Sequence, residues 1–188
     1  GNMLGDEQSG HIKEVGVELY QNMLQEALLA LKEDKPLNPD YSPQIHLGIP
    51  ILIPEGYVKV LTVRMSLYRR ASNLKNKPEI DSFAAELIDR FGPLPQEVEN
   101  LFDVLECKRL CLEVGIEKAD CGPKGAVISF YKNTFKAPDK LINYIQKQVG
   151  SVKLRPDHKL IFVRAWPNDK VKMVGLKKVL VDLRTLII

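Results

Sequence analysis

The sequence predicts an α+β fold: mixed helices packed on a small, mainly antiparallel sheet, preceded by an N-terminal helix and a linker. Three observations carry this expectation. Apolar residues recur at helical spacing in several segments that end at a glycine. Two pairs of short apolar runs are joined by turn-forming residues and read as hairpins. Helices and hairpins also come in blocks rather than in strict alternation, which disfavours a doubly wound parallel sheet.

The elements follow in order. The opening decapeptide, GNMLGDEQSG, is rich in glycine and polar residues and reads as a loop. From about Ile12 to Leu31 the residues Tyr20, Met23, Leu24, Ala27, Leu28 and Leu31 form one apolar helical stripe. A linker over 35–43 follows, because Pro36, Pro39 and Pro43 forbid a helix there. Residues 44–49 alternate weakly and suggest an edge strand ending at Pro50. A helix is expected from Val58 to about Leu74, with Val60, Leu61, Met65 and Tyr68 among its apolar positions. A second begins near Pro78, carries Ile80, Phe83, Leu87, Ile88 and Phe91 on one face, and stops at Gly92. A third runs from about Gln96 to Val114 and is closed by Gly115. A strand over 125–131 pairs with one near Ile116–Cys121, a short helix covers 138–147, a second hairpin joins SVKL to KLIFVR, and a helix over about 169–186 ends the chain.

Composition narrows the class. Hydrophobic residues make up 45% of the 188 and charged residues 27%, the ordinary balance of a globular domain. A chain of this length buries a core without disulfides or metal. No apolar run approaches the roughly 20 residues of a membrane span. The first residues lack the basic and apolar regions of a signal peptide, so a cytoplasmic protein is expected. The three cysteines agree: Cys107 and Cys111 lie four apart on a helix, Cys121 follows in a loop, and this spacing is no disulfide framework. His11, His46 and His158 are scattered away from them, so no metal site is expected. Charge is uneven. Residues 1–34 carry a net −5, and residues 151–188 carry nine lysines or arginines against three aspartates, a net +6.

Marks of catalysis are missing. There is no G-x-x-x-x-G-K-[ST], no H-E-x-x-H and no G-x-S-x-G; the fragment Gly122–Gly125 has the wrong spacing for a phosphate loop. The chain is therefore expected to have no catalytic residues and no cofactor of its own. Two charged features remain. On the helix around 80–91, Glu86, Asp89 and Arg90 fall at i, i+3 and i+4, away from the apolar face. They read either as a solvated Glu86–Arg90 pair with Asp89 in water, or as a two-signed patch that meets a complementary surface. The basic last third, from Lys153 to Arg184, admits an accessory DNA-binding reading, but its aromatics are few (Phe162 and Trp166) for a single-strand binder.

Several segments resemble one known family. The opening G-x-x-L-G-x-x-Q-S-G, followed by V-G-x-x-L-Y-x-x-M-L at 15–24, resembles the TRG translocation motif shared by RecG helicase and the transcription-repair coupling factor (Mfd) family. I-P-E-G-Y-V at 53–58, R-M-S-L-Y-R-R at 64–70 and E-L-I-D-R-F-G-P-L-P at 86–95 are similar to the C-terminal, or TRCF, domain of that family. The resemblance implies three parts: a TRG tail and connecting helix over 1–34, a linker over 35–43, and a regulatory domain over 44–188. It also implies a parent protein that uses ATP and Mg in upstream motor domains to move on double-stranded DNA. That parent displaces stalled RNA polymerase and recruits UvrA for nucleotide excision repair. The C-terminal domain is then expected to dock on the parent's own N-terminal UvrB-like module and mask the UvrA-binding surface. On this resemblance Glu86, Asp89 and Arg90 match the interdomain contact. Gln8 matches the TRG glutamine that couples nucleotide hydrolysis to movement.

Overall fold

A computed structural model describes residues 41–188. The helix expected over 12–31, Gln8 and residues 35–40 of the expected linker lie outside the described residues. Residues 41–43 carry no regular structure before the first strand. The described chain is mixed α+β, with five α-helices and one five-stranded mixed sheet among the described residues. It divides into two compact units, one comprising described residues 50–105 and the other 41–49 with 106–188.

The first unit is helical. Helix α1 spans Leu61–Ser72, α2 spans Lys77–Phe91, and α3, Gln96–Val114, begins here. Asn76 caps α2 by accepting from the Glu79 N–H at 2.9 Å, and the Glu79 carboxylate reaches back to the Lys75 N–H at 2.6 Å. Pro78 sits in the first turn, where a missing N–H costs nothing. Gly92 ends α2 with φ +94°, a conformation that a side chain resists. The core joins Ile53 and Val58 from the leading segment with Leu67, Tyr68 and Ala71 of α1, Ile80, Phe83 and Leu87 of α2, and Val98, Leu101, Phe102 and Leu105 of α3. Phe83 and Phe102 meet edge-on, ring centres 5.7 Å apart.

Two expectations here need correction. Helix α1 starts at Leu61, not Val58. Pro54 turns the chain, its carbonyl accepting from the N–H groups of Tyr57 and Val58. The Arg64 guanidinium then takes the carbonyls of Val58 and Lys59 at 2.7 and 3.2 Å, and Val60 is extended. Val58 is thereby buried as part of a loop, while Val60 and Leu61 face solvent. Ile88 is also 49% exposed: the inward stripe of α2 is the narrower Ile80, Phe83 and Leu87.

The second unit is built on the sheet. Strand β1 is Gln44–His46, β2 is Ile116–Gly122, β3 is Gly125–Phe130, β4 is Val152–Leu154 and β5 is Leu160–Val163. Their order is β1-β2-β3-β5-β4, with β1 parallel to β2 and every other pair antiparallel. β1 is an edge strand, as its weak alternation suggests. Helix α4 is Pro138–Lys147 and α5 is Asp169–Thr185, the latter capped by Asn168 accepting from the Val171 N–H. Cys121 lies on β2 and not in a loop, and Tyr131 leaves β3 to open a short 3-10 turn. All three cysteines are free thiols. β3 and β5 approach closely at Gly125, where φ is +127° and an added Cβ would stand 1.9 Å from the Phe162 carbonyl oxygen.

Candidate interaction site

Three segments that looked distinctive in sequence, residues 53–58, 64–70 and 86–92, are tied to one another inside the helical unit. The Ile53 N–H donates to the Tyr68 hydroxyl oxygen at 2.7 Å in a buried bond. The Tyr57 hydroxyl donates to the carbonyls of Leu87 and Gly92, at 3.1 and 2.8 Å, and its ring packs on Phe91 with centres 5.7 Å apart. Together these bonds tie side chains of one segment to backbone groups of another. The effect is to hold the C-terminal half of α2, with its charged residues, in a set orientation against the 53–58 segment.

The charged face then shows an arrangement that one-helix spacing does not reveal. Glu86 is held by Arg70 of α1: Nη1 and Nη2 donate to Oε2 and Oε1 at 2.6 and 2.7 Å. Arg90 adds a bond from Nη1 to Oε2 at 3.1 Å. The Arg70 fork, followed by the Arg90 bond, holds the Glu86 carboxyl down at about 2. Arg70 lies 4.8 Å above the Phe83 ring centre, and Arg90 lies 4.8 Å from that of Phe91. Asp89 is exposed and has no ion-pair partner among the described residues. The structure thus brings Glu86 and Arg90 together, as their spacing suggests, and adds Arg70, which no helical periodicity could connect across 16 residues. Gln8 lies outside the described residues.

The basic residues of the last third are engaged locally in most cases. Arg155 forks onto Asp157, Lys177 reaches Glu106 at 3.3 Å, and Arg184 reaches Glu113 at 3.4 Å. Lys172 donates to the Leu47 carbonyl at 2.8 Å, and Arg164 to those of Ser151 and Val163. Lys153, Lys170 and Lys178 remain exposed, one on β4 and two along α5. A hollow beside the sheet is lined by His46, Asp120, Cys121 and Lys124, but burial pushes the Cys121 thiol up to about 12. A thiol so raised is a poor nucleophile. Among the described residues no group of three His, Cys, Asp or Glu side chains could hold a metal ion, and no helix is long and apolar enough to cross a membrane.

The described residues form a mixed α+β module with a built ion cluster on the α2 surface. Comparison with known proteins gives the family. The TRCF domain family model matches residues 47–141, and the chain belongs to that family. It is 44% identical over 165 residues to the transcription-repair-coupling factor of Rickettsia prowazekii, covering 87% of this chain and 15% of that protein. To the transcription-repair-coupling factor of Escherichia coli it is 31% identical over 187 residues, covering 97% of this chain and 16% of that protein. The chain thus spans about one-sixth of the length of these relatives. The fold is similar to a crystal structure of the C-terminal domain of transcription-repair coupling factor, with a TM-score of 0.58, 18% identity, and coverage of 77% of this chain and 95% of that one.

Proposed function

We propose that this chain is a regulatory, autoinhibitory interaction domain that docks on the UvrB-like N-terminal module of its parent and masks the parent's UvrA-binding surface. The parent is read, from its family, as an ATP-dependent double-stranded DNA translocase that removes stalled RNA polymerase and recruits UvrA. ATP and Mg belong to its motor domains, and this chain supplies no catalytic group. The observation that carries the docking reading is the α2 surface. Asp89 and Arg90 stand exposed, opposite in sign and adjacent, on a helix whose inner face is locked by Phe83, Leu87 and the Tyr57 bonds. Fixed charges on a rigid element select a complementary partner more than they add affinity. Within one polypeptide a weak contact suffices, because tethering supplies a high effective concentration. Release on engagement with polymerase or DNA is then a population shift between docked and undocked arrangements.

The test is made in the full-length parent. Reversing the surface with Asp89→Lys and Arg90→Glu should expose UvrA binding and raise ATPase activity, with the circular dichroism of the domain unchanged. Unchanged UvrA binding and ATPase activity in that folded double variant would contradict the docking function.

A further inference from the structure

Arg70 belongs to no charge pattern within α2, yet it makes a short two-pronged contact on the α2 surface. Its two terminal nitrogens grip both oxygens of Glu86 at 2.6 and 2.7 Å. A guanidinium fork on a carboxylate fixes orientation as well as charge, which an ammonium group does not. Arg90 meets the same carboxylate with one nitrogen, at Oε2, 3.1 Å away. Each guanidinium is seated on an aromatic ring of α2, Arg70 on Phe83 and Arg90 on Phe91. One carboxylate therefore stands between two cations whose planes are braced from below.

This arrangement divides the work among the charges. Glu86 accepts three bonds from these two arginines, so most of its acceptor capacity is already taken within the domain. Arg90 spends one of its five N–H donors on Glu86 and has no other hydrogen-bond partner among the described residues. Asp89 has none among the described residues. We propose that Arg70 is a positioning residue of the docking surface: its fork holds Glu86 where that carboxylate orients Arg90, and Arg90 and Asp89 make the contacts. The matching partner surface presents a carboxylate beside a cation. The inference rests on the docking function proposed above and assigns Glu86 and Arg70 to alignment, not to direct contact.

The experiment measures binding of the 188-residue chain to the N-terminal module in trans, with thermal unfolding of each variant in parallel. Arg70→Gln and Glu86→Gln should each weaken binding by about 5- to 10-fold, and the double variant should be no weaker than the poorer single, because the two act as one unit. Their melting temperatures should stay within about 3 °C of wild type, as expected for solvent-exposed pairs. The exchange Arg70→Glu with Glu86→Arg rebuilds the fork but sets a cation beside Arg90, so binding should stay weak although the melting temperature recovers. Three results would overturn the assignment: wild-type binding by Arg70→Gln while Asp89→Lys abolishes it, additive losses in the double variant, or binding restored by the exchange. Should Asp89→Lys and Arg90→Glu also bind like wild type, the docking function itself fails and this assignment falls with it.

Discussion

Tyr57 and Tyr68 work in opposite senses at the same junction, and each supports a different prediction. The Tyr68 oxygen is the acceptor for a buried Ile53 N–H. Tyr68→Phe orphans that N–H, so it should cost about 1–3 kcal/mol in urea unfolding. Tyr57 is a donor to two carbonyls. Tyr57→Phe removes a donor and should cost only about 1 kcal/mol. A smaller loss for Tyr68→Phe than for Tyr57→Phe would contradict the assigned roles. Glu86 makes a pH prediction. Its folded pKa, about 2, lies below the ordinary carboxylate value. The contribution of its ion cluster is therefore fully present above the unfolded pKa and is lost progressively as pH falls from there through about 2. Carboxyl NMR should show no Glu86 titration between pH 7 and pH 4 in wild type and an upward shift in Arg70→Gln; a wild-type midpoint near 4 would refute the fork. Lys108 behaves oppositely. Burial lowers it to about 8, so the folded state releases its proton before the unfolded one, and stability is regained as pH rises from about 8 to the unfolded value. Lys108→Met should therefore stabilise the protein at pH 7 by roughly 3 kcal/mol, an advantage that shrinks toward pH 10. An advantage independent of pH would show that burial leaves the lysine's ordinary titration unchanged in the fold.

At the scale of elements, the sequence reads best where local signals and packing agree. Helix α3 runs from Gln96 to Val114 as its periodicity and Gly115 suggest, and α2 ends at Gly92. Both hairpins follow from their turn residues. What escapes is decided by groups distant in sequence. The start of α1 moves from Val58 to Leu61 because Arg64 folds back on the carbonyls of Val58 and Lys59. Ile88 fits the apolar stripe by spacing, yet the unit covers only the Ile80, Phe83 and Leu87 side. The charged site is half legible for the same reason: i to i+4 spacing finds Glu86 with Arg90, while Arg70 arrives from a different helix. The β3–β5 contact gives an element-scale prediction. Gly125→Ala places a methyl 1.9 Å from the Phe162 carbonyl oxygen at φ +127°, so thermal unfolding should show a loss of several degrees or failure to fold. A melting temperature equal to wild type would contradict the β3–β5 spacing.

For the whole molecule, family membership rests on the TRCF domain match and on relatives that this chain spans only in small part. Five of the nine basic residues in the last third are engaged by nearby carboxylates or carbonyls, whereas on α2 Asp89 has no ion-pair partner among the described residues and Arg90 keeps donors beyond its bond to Glu86. Contacts made by such exposed charges weaken with salt on the scale of the Debye length, about 8–10 Å at ordinary ionic strength. The most direct measurement is calorimetric binding of this chain to the UvrB-like N-terminal module, at low and moderate salt, for wild type and for Asp89→Lys with Arg90→Glu. The account predicts binding that weakens as salt rises and disappears in the double variant while its fold is kept. Binding indifferent to both salt and the reversal would contradict docking through the α2 surface.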